Sequence, residues 1–168
     1  MKVIIKHLDD GSMKSDIFIH KADLWDGDRI LAKVIYRFLK KYRAVYDSKS
    51  TWKGIPSSIM PFMSVDEWDQ AKEDAAYKEW LDALDEMIFA FNYLGNDYEH
   101  NLPIYKEYSA QISKLRKEKK IDLIEFFNDM SPEREIIHRN YFEKLEAHDN
   151  KVQKGIDLFA KYFKHFWM

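Results

Sequence analysis

The chain has 168 residues, a formal net charge of −2, 15% aromatic residues and no cysteine, and its length favours a single domain, residues 1–168, with a substantial core. The missing cysteines exclude a disulfide framework and a thiolate zinc site, and they fit a reducing compartment. The near-neutral charge excludes a general nucleic-acid-binding protein, whose surface would be strongly basic.

The chain carries no signal for a membrane. No apolar stretch approaches the roughly 20 residues of a membrane-spanning helix, and the first apolar run is too short for a signal peptide. We therefore expect a cytoplasmic protein that does not enter a membrane.

The N-terminal residues predict a small β-hairpin. Two short runs of β-branched and aromatic residues, 3–5 and 17–19, are separated by the turn-forming residues 9–12. The patterns after residue 25 are helical. The predicted fold class is mainly α, a helical bundle with two long helices and a small N-terminal hairpin.

Residues 26–45 predict an amphipathic helix whose polar face carries charge of one sign. Its apolar residues gather on one face, and no acidic residue occurs between positions 29 and 45. The basic side chains that recur at four-residue steps are Arg29, Lys33, Arg37 and Lys41, with Lys40 and Arg43 beside them. This stripe, 29–43, either lines a pocket or pairs with an acidic helix.

That acidic helix is predicted over residues 65–94. Ser64 and Glu67 form a capping-box pattern at its start, and Gly95 is typical of the residue after a helix end. Nine acidic residues and two lysines occupy its sequence. Pairing with the basic helix, or plain solvation, accounts for both charged surfaces.

Prolines mark the starts of two further helices. Pro103 suits a first helical position, and Ser131 followed by Pro132 combines a capping residue with the same signal. The second of these helices keeps apolar residues at three- and four-residue steps up to position 166. Because this spacing resembles a coiled coil, we expect a homo-oligomer formed through residues 132–166.

Enzyme motifs are almost absent. Glu135 and His138 have the Glu-x-x-His spacing of helical di-metal sites, but only residues 97–100 offer a partial second motif. These two residues are weak metal candidates, and a metal-dependent hydrolase is the least favoured function. The chain has no phosphate-binding loop, nucleophile elbow or dinucleotide fingerprint. We therefore predict a protein that is not an enzyme and needs no cofactor.

Basic and aromatic residues lie close together at two places in the sequence, and this combination suits a nucleotide. Charged donors bind phosphate, and aromatic rings stack on bases. The predicted ligand-binding residues are Trp25, Arg29, Lys33, Arg37, Trp80, Lys161, Lys164 and Trp167. In the alternative interpretation, Trp25 and Trp80 belong to the core and the lysines are solvated.

Three segments together resemble a known family. They are DLWDGDRILAKVI at 23–35, EWLDALDEMIFAF at 79–91 and KVQKGIDLFAKYF at 151–163. They resemble small helical proteins encoded by tailed bacteriophages, a family without an established activity. The family pattern is shorter between the second and third segments, which marks residues 100–145 as an insertion. The resemblance implies a phage protein that acts in the cytoplasm of the bacterial host.

These observations lead to two main hypotheses. The first is a non-enzymatic phage accessory protein that binds a small anionic, nucleotide-like ligand and sequesters a signal of host immunity. The alternative is a protein-binding inhibitor of a host factor, or a structural protein of the virion, that uses the acidic helix or the aromatic C-terminus.

Overall fold

A computed structural model describes residues 2–7, 9, 13–21, 26–47, 54–60, 69–96, 101–120, 122–128 and 131–166. Within them the chain is mainly helical, which confirms the prediction of a mainly α protein. The elements are β1 (Lys2–His7), β2 (Met13–Phe18), α1 (Gly27–Asp47), α2 (Gln70–Asn96), α3 (Pro103–Lys119), α4 (Leu123–Asn128) and α5 (Pro132–Tyr162), followed by a short 3₁₀ turn, Phe163–His165. None of the helices in these residues is both long and apolar enough to cross a membrane.

The two strands pair in antiparallel register, from Lys2 opposite Phe18 to His7 opposite Met13. Of the predicted turn, 9–12, only residue 9 belongs to the described part of the chain. Ile17 and Phe18 both remain mostly exposed. Within the described residues, the two strands pack extensively only against each other. The pair therefore buries little apolar surface, as is usual for two strands alone.

Helices α1 and α2 pack side by side in antiparallel directions. The Arg29 side chain near the start of α1 reaches the Gly95 carbonyl near the end of α2. At the other end the Tyr77 hydroxyl donates to the Tyr46 carbonyl. Between these contacts lies an apolar cluster whose most deeply buried members are Leu39, Trp80, Leu84 and Met87. Both helices are long because each must carry one side of this cluster.

The second half of α5 completes this core, also antiparallel to α2. His148 lies against Tyr93, with ring centroids 4.5 Å apart, and Tyr162 meets Trp80 at 5.2 Å. Gly155 lies between them, where an added Cβ would come within 2.5 Å of the Glu86 carbonyl oxygen. The apolar stripe that suggested a homo-oligomer is thus largely used inside the chain. The oligomer through residues 132–166 stays a prediction.

Helix α3, helix α4 and the first half of α5 form a separate layer, which we call the arm (residues 101–145). Tyr108 of α3 stacks on Tyr141 of α5 at 4.3 Å, and Phe126 of α4 is buried beside them. Among the described residues, α3 packs extensively only against α5. The arm nearly coincides with the predicted insertion, 100–145, and nothing in its packing tests that assignment.

The predicted limits of α2 need correction. The helix begins at Gln70, and the Asp69 carboxylate accepts the backbone N–H of Ala71 at 2.9 Å. Asp69 therefore caps the described start of α2. The predicted capping box at 64–67 lies outside the described residues. The helix also continues through Gly95 to Asn96. Gly95 therefore lies inside the helix. A Cβ at this position would come within 2.9 Å of the Lys33 side chain of α1.

Candidate functional site

The basic stripe of α1 is partly paired with α2. Arg29 Nε donates to the Gly95 carbonyl oxygen at 3.3 Å. At the other end, Arg43 binds Asp85 at 3.1 Å and Asp47 at 2.6 Å. Desolvation lowers the pKa of Arg43, but the two carboxylates together outweigh it and raise that pKa. The ends of the stripe therefore hold two helices together.

The structure does not gather the predicted ligand residues of α1 and α2 into one pocket. Lys33 is half-buried beside Gly95, and Arg37 is exposed. Neither of them lines the cavities described below. Trp25 lies outside the described residues. Trp80 is completely buried, as the alternative interpretation of a core residue predicts, and it presents no exposed surface to a ligand. Its indole is surrounded by three aromatic rings, those of Tyr42, Tyr162 and Phe166.

The residues predicted near the C-terminus are only partly brought together. Lys161 lies 4.7 Å above the ring of Tyr162, and their interaction raises the pKa of the lysine. Lys161 also lines a groove of about 520 Å³ between α2 and α5. Lys164 is exposed on the 3₁₀ turn and does not line this groove. Trp167 lies outside the described residues.

The groove between α2 and α5 has mixed charge. Lys78, Lys154 and Lys161 line it together with an equal number of carboxylates, those of Glu79, Asp82 and Glu86. Lys154 is already bound to Glu86, with a distance of 2.7 Å from Nζ to the carboxylate oxygen. These carboxylates would repel a phosphate, so the groove is poorly suited to an anion.

A second cavity, of about 260 Å³, lies in the arm and has a different character. We call it the arm cavity. Its basic and hydroxyl-bearing lining residues are Tyr105, Tyr108, Ser109, Ser113, Arg116, Arg134 and His138. Ile112 and the ring of Phe126 complete the described lining, and none of these residues carries a carboxylate. The described part of the arm cavity therefore offers donors and aromatic surface without a competing negative charge.

His138 is held in one orientation within this cavity. Arg134 Nε donates to His138 Nε2 at 3.2 Å, and the Tyr108 hydroxyl lies 3.2 Å from Nδ1. Desolvation, and then the positive charge of Arg134, lower the pKa of His138, so the ring is neutral at pH 7. Because Nε2 accepts a hydrogen bond, the single ring proton lies on Nδ1 and is donated to Tyr108.

This arrangement determines what Tyr108 can do. Its oxygen accepts from His138, so its own hydroxyl proton remains for another acceptor. Burial is the main factor that raises the pKa of Tyr108, so the hydroxyl stays protonated at neutral pH. Tyr108 is therefore a neutral donor in the wall of the arm cavity.

The two arginines of the cavity have different surroundings. Arg134 is half-buried, donates to the Phe126 carbonyl at 2.9 Å and lies 5.0 Å from the centre of the Phe126 ring. Arg116 is exposed on the last turns of α3. Arg134 thus fixes α4 against α5, while Arg116 presents its guanidinium group at the solvent-exposed side of the cavity.

Within the described residues, the weak metal candidates Glu135 and His138 do not belong to a group of three or more possible metal ligands. Both ring nitrogens of His138 take part in hydrogen bonds, and the neighbouring Arg134 opposes a cation. Glu135 is exposed and does not line the arm cavity. The partial second motif, 97–100, lies outside the described residues. Within the described ranges no three His, Asp or Glu side chains are grouped for a metal ion.

Sequence reasoning missed the residues of the arm cavity, although a signal was present. Tyr105, Ser109, Ile112 and Arg116 recur at three- or four-residue steps, so they share one face of α3. The basic residues at the end of α3 are also explained by the helix dipole, so nothing in the sequence marked Arg116 as a residue of a cavity. Arg134 and His138 are one turn apart on α5, but no pattern in the sequence indicates that they face α3.

Comparisons with protein-family models, curated proteins and solved structures found no match to this chain. The resemblance to small helical phage proteins therefore stays a prediction.

Proposed function

We propose that the protein binds a small anionic ligand that carries a planar ring, of the nucleotide class, in the arm cavity. One observation carries the proposal: two arginines and several hydroxyl groups line a cavity to which none of the described carboxylates contributes. The proposal keeps the ligand class predicted from the sequence. It moves the site from α1 and the C-terminus to the arm.

The lining groups match the chemistry of a phosphate ester. Guanidinium groups form strong, paired hydrogen bonds to phosphate oxygens, and Arg116 is placed to supply them. The Tyr108 hydroxyl and the nearby Ser113 supply neutral donors. The rings of Tyr105 and Phe126 offer surface for a base.

The size of the cavity limits the ligand. Ligand pockets usually have volumes of roughly 300–1,000 Å³, so about 260 Å³ is slightly below that range. A nucleoside monophosphate, or one half of a larger dinucleotide, is the unit that suits this space.

The same geometry favours binding without chemistry. A general base needs a free lone pair within reach of the substrate, but both nitrogens of His138 are engaged. Among the described residues that line the cavity, none offers a carboxylate to act in its place. We therefore propose a binding protein and not an enzyme.

The resemblance to phage proteins supplies a setting for this activity. A phage accessory protein in the host cytoplasm that sequesters a nucleotide signal of immunity needs tight binding without turnover. We interpret the fold accordingly as a bundle around two long helices, α2 and α5, with an N-terminal hairpin. In this interpretation the inserted segment, residues 100–145, brings the binding site.

The test is isothermal titration calorimetry with AMP, cyclic AMP, inorganic phosphate and uncharged adenosine. We expect a nucleoside monophosphate to bind more tightly than phosphate or adenosine alone, because it uses both the donors and the rings. Arg116→Gln should weaken that binding by about 10- to 100-fold, the usual effect of losing a hydrogen bond to a charged group.

Arg37→Gln is the matched control, since it makes the same change at an exposed arginine of α1 outside the cavity. It should leave the affinity unchanged. If no nucleotide binds, the proposal is wrong. If Arg37→Gln weakens binding and Arg116→Gln does not, the site lies on α1 as the sequence first suggested.

A further inference from the structure

The apolar face predicted for helix α1 is only partly covered by the rest of the described chain. Leu31, Val34 and Phe38 are spaced by three and four residues, so they form one stripe along the helix. Their side chains, unlike the buried Leu39 on the neighbouring face, are between 43% and 56% exposed. The stripe spans about 10 Å at the rise of an α-helix.

The stripe continues onto the C-terminal end of α5. The rings of Phe38 and Phe166 meet edge to face at 5.5 Å, and Phe166 contacts Phe159 at 5.7 Å. Phe159 in turn contacts Phe163, which is 62% exposed. Leu31, Val34, Phe38 and Phe163 thus belong to one apolar surface, which we call the docking face. Exposed apolar surface of this kind commonly marks a binding site for another protein.

The exposed charged side chains along one edge of the docking face are basic. Arg37 and Lys41 each follow a residue of the stripe by three positions, so they lie along its edge. Both are exposed, and within the described part of the chain neither forms an ion pair. No acidic residue occurs between Arg29 and Val45 to balance them.

We propose that the docking face binds an acidic amphipathic helix of a partner protein. Such a helix places apolar side chains at three- and four-residue steps onto a complementary surface. Its carboxylates would lie beside Arg37 and Lys41. This interaction is separate from the arm cavity and goes beyond the binding of a small ligand.

A second copy of the chain is a poorer occupant. A two-fold interface brings the same surface of both copies together. The basic edge of one α1 would then face the basic edge of the other, and like charges in contact weaken an interface. Charge complementarity therefore favours an acidic partner.

Two synthetic helical peptides test the proposal. Both carry leucines at helical spacing; one has glutamate and the other lysine at the remaining positions, and binding is followed by fluorescence anisotropy. The glutamate peptide should bind, and the lysine peptide should not. Leu31→Gln should weaken binding of the glutamate peptide about fivefold or more, as expected for an apolar contact at the centre of an interface.

Matched variants on the arm serve as controls. Ile136→Gln changes a similarly exposed apolar residue, and Lys106→Glu changes an exposed lysine of α3. Neither should alter the affinity. Lys41→Glu should reduce it about two- to fivefold at low salt, and this difference should shrink at high salt.

The proposal is wrong if the glutamate peptide does not bind, if both peptides bind equally well, or if Ile136→Gln weakens binding as much as Leu31→Gln. Sedimentation velocity decides about a second copy. A dimer that Leu31→Gln dissociates would show that the protein itself covers the docking face.

Discussion

The core and the arm of this protein are built by different means. The largest fully buried side chains are Leu39, Trp80, Leu84, Met87 and Tyr162, and all of them lie in α1, α2 or the second half of α5. In contrast, α3 has no buried residue. Since apolar burial supplies most of the free energy of folding, stability is concentrated in the core.

The arm buries only a few side chains, among them Phe126 and Tyr141, and ring stacking and polar contacts join its helices. Tyr108 stacks on Tyr141, Arg134 connects α4 to α5, and Lys144 binds Glu107 at the surface. Segments with little burial open more readily than the core. A ligand in the arm cavity would contact three helices at once and would stabilise the arm most. The stable part of the molecule and its proposed binding part are therefore separate.

The largest expected effect is on the core. Trp80→Ala should lower the free energy of unfolding by about 3–5 kcal/mol, because it removes a large, completely buried side chain. Urea denaturation followed by circular dichroism measures this loss. Ile136→Ala, at an exposed position in the arm, should change the stability by less than about 0.5 kcal/mol. Equal losses in the two variants would contradict the distinction between core and arm.

The next effect concerns the contact between α2 and α5. Gly155→Ala should lower the free energy of unfolding by about 1–3 kcal/mol, because the new Cβ would meet the Ala90 Cβ and the Glu86 carbonyl oxygen. Gly27→Ala is the control, since nothing lies within 4 Å of a Cβ at that position. Thermal unfolding of both variants checks the prediction, and an unchanged melting temperature for Gly155→Ala would show that α5 does not pack so closely.

A smaller effect is expected in the pH dependence of the stability of the arm. The pKa of His138 is lowered in the folded protein from its usual value of 6.5, mainly by desolvation and further by Arg134. As the pH falls through 6.5, the unfolded state takes up a proton before the folded state does. The stability that neutral His138 supports is therefore present above pH 6.5 and is lost as the pH falls towards the lowered pKa.

The measurement is hydrogen exchange of the arm amides between pH 5 and pH 8, corrected for the intrinsic exchange rates. His138→Gln, which stays neutral, should show a weaker dependence of arm stability on pH than the wild type. All other residues are the same in both proteins, so the difference isolates His138. Parallel profiles for the two proteins would mean that His138 is not held in its neutral form.

The smallest effect is expected at the surface of the arm. Lys144→Ala breaks the 2.7 Å ion pair with Glu107, in which both side chains are about half exposed. Exposed pairs contribute only about 0.2–1 kcal/mol, and salt screens them. A double-mutant cycle with Glu107→Ala, measured at low and high salt, gives the coupling energy. A larger coupling that salt does not reduce would show that the arm depends on this pair more than on its stacked rings.

Local signals in the sequence predicted the starts of two helices well. Pro103 and Pro132 both occupy the first turn of their helices, as their locked backbone angle favours. At the described start of α2, Asp69 accepts the backbone N–H of Ala71. The capping box predicted at Ser64 lies outside the described residues.

Composition and residue spacing were enough to predict the helical class, an apolar face on each long helix and the absence of disulfides. Periodicity is a property of one helix about its own axis, so it needs no knowledge of the neighbours. Which helix covers which face is known only from the packing of the helices. It buried Trp80 in the core, paired Arg43 with Asp85, and brought Arg134 and His138 of α5 opposite the Tyr108 face of α3. The physical reason is that side-chain spacing along one helix carries no information about the partner that packs against it.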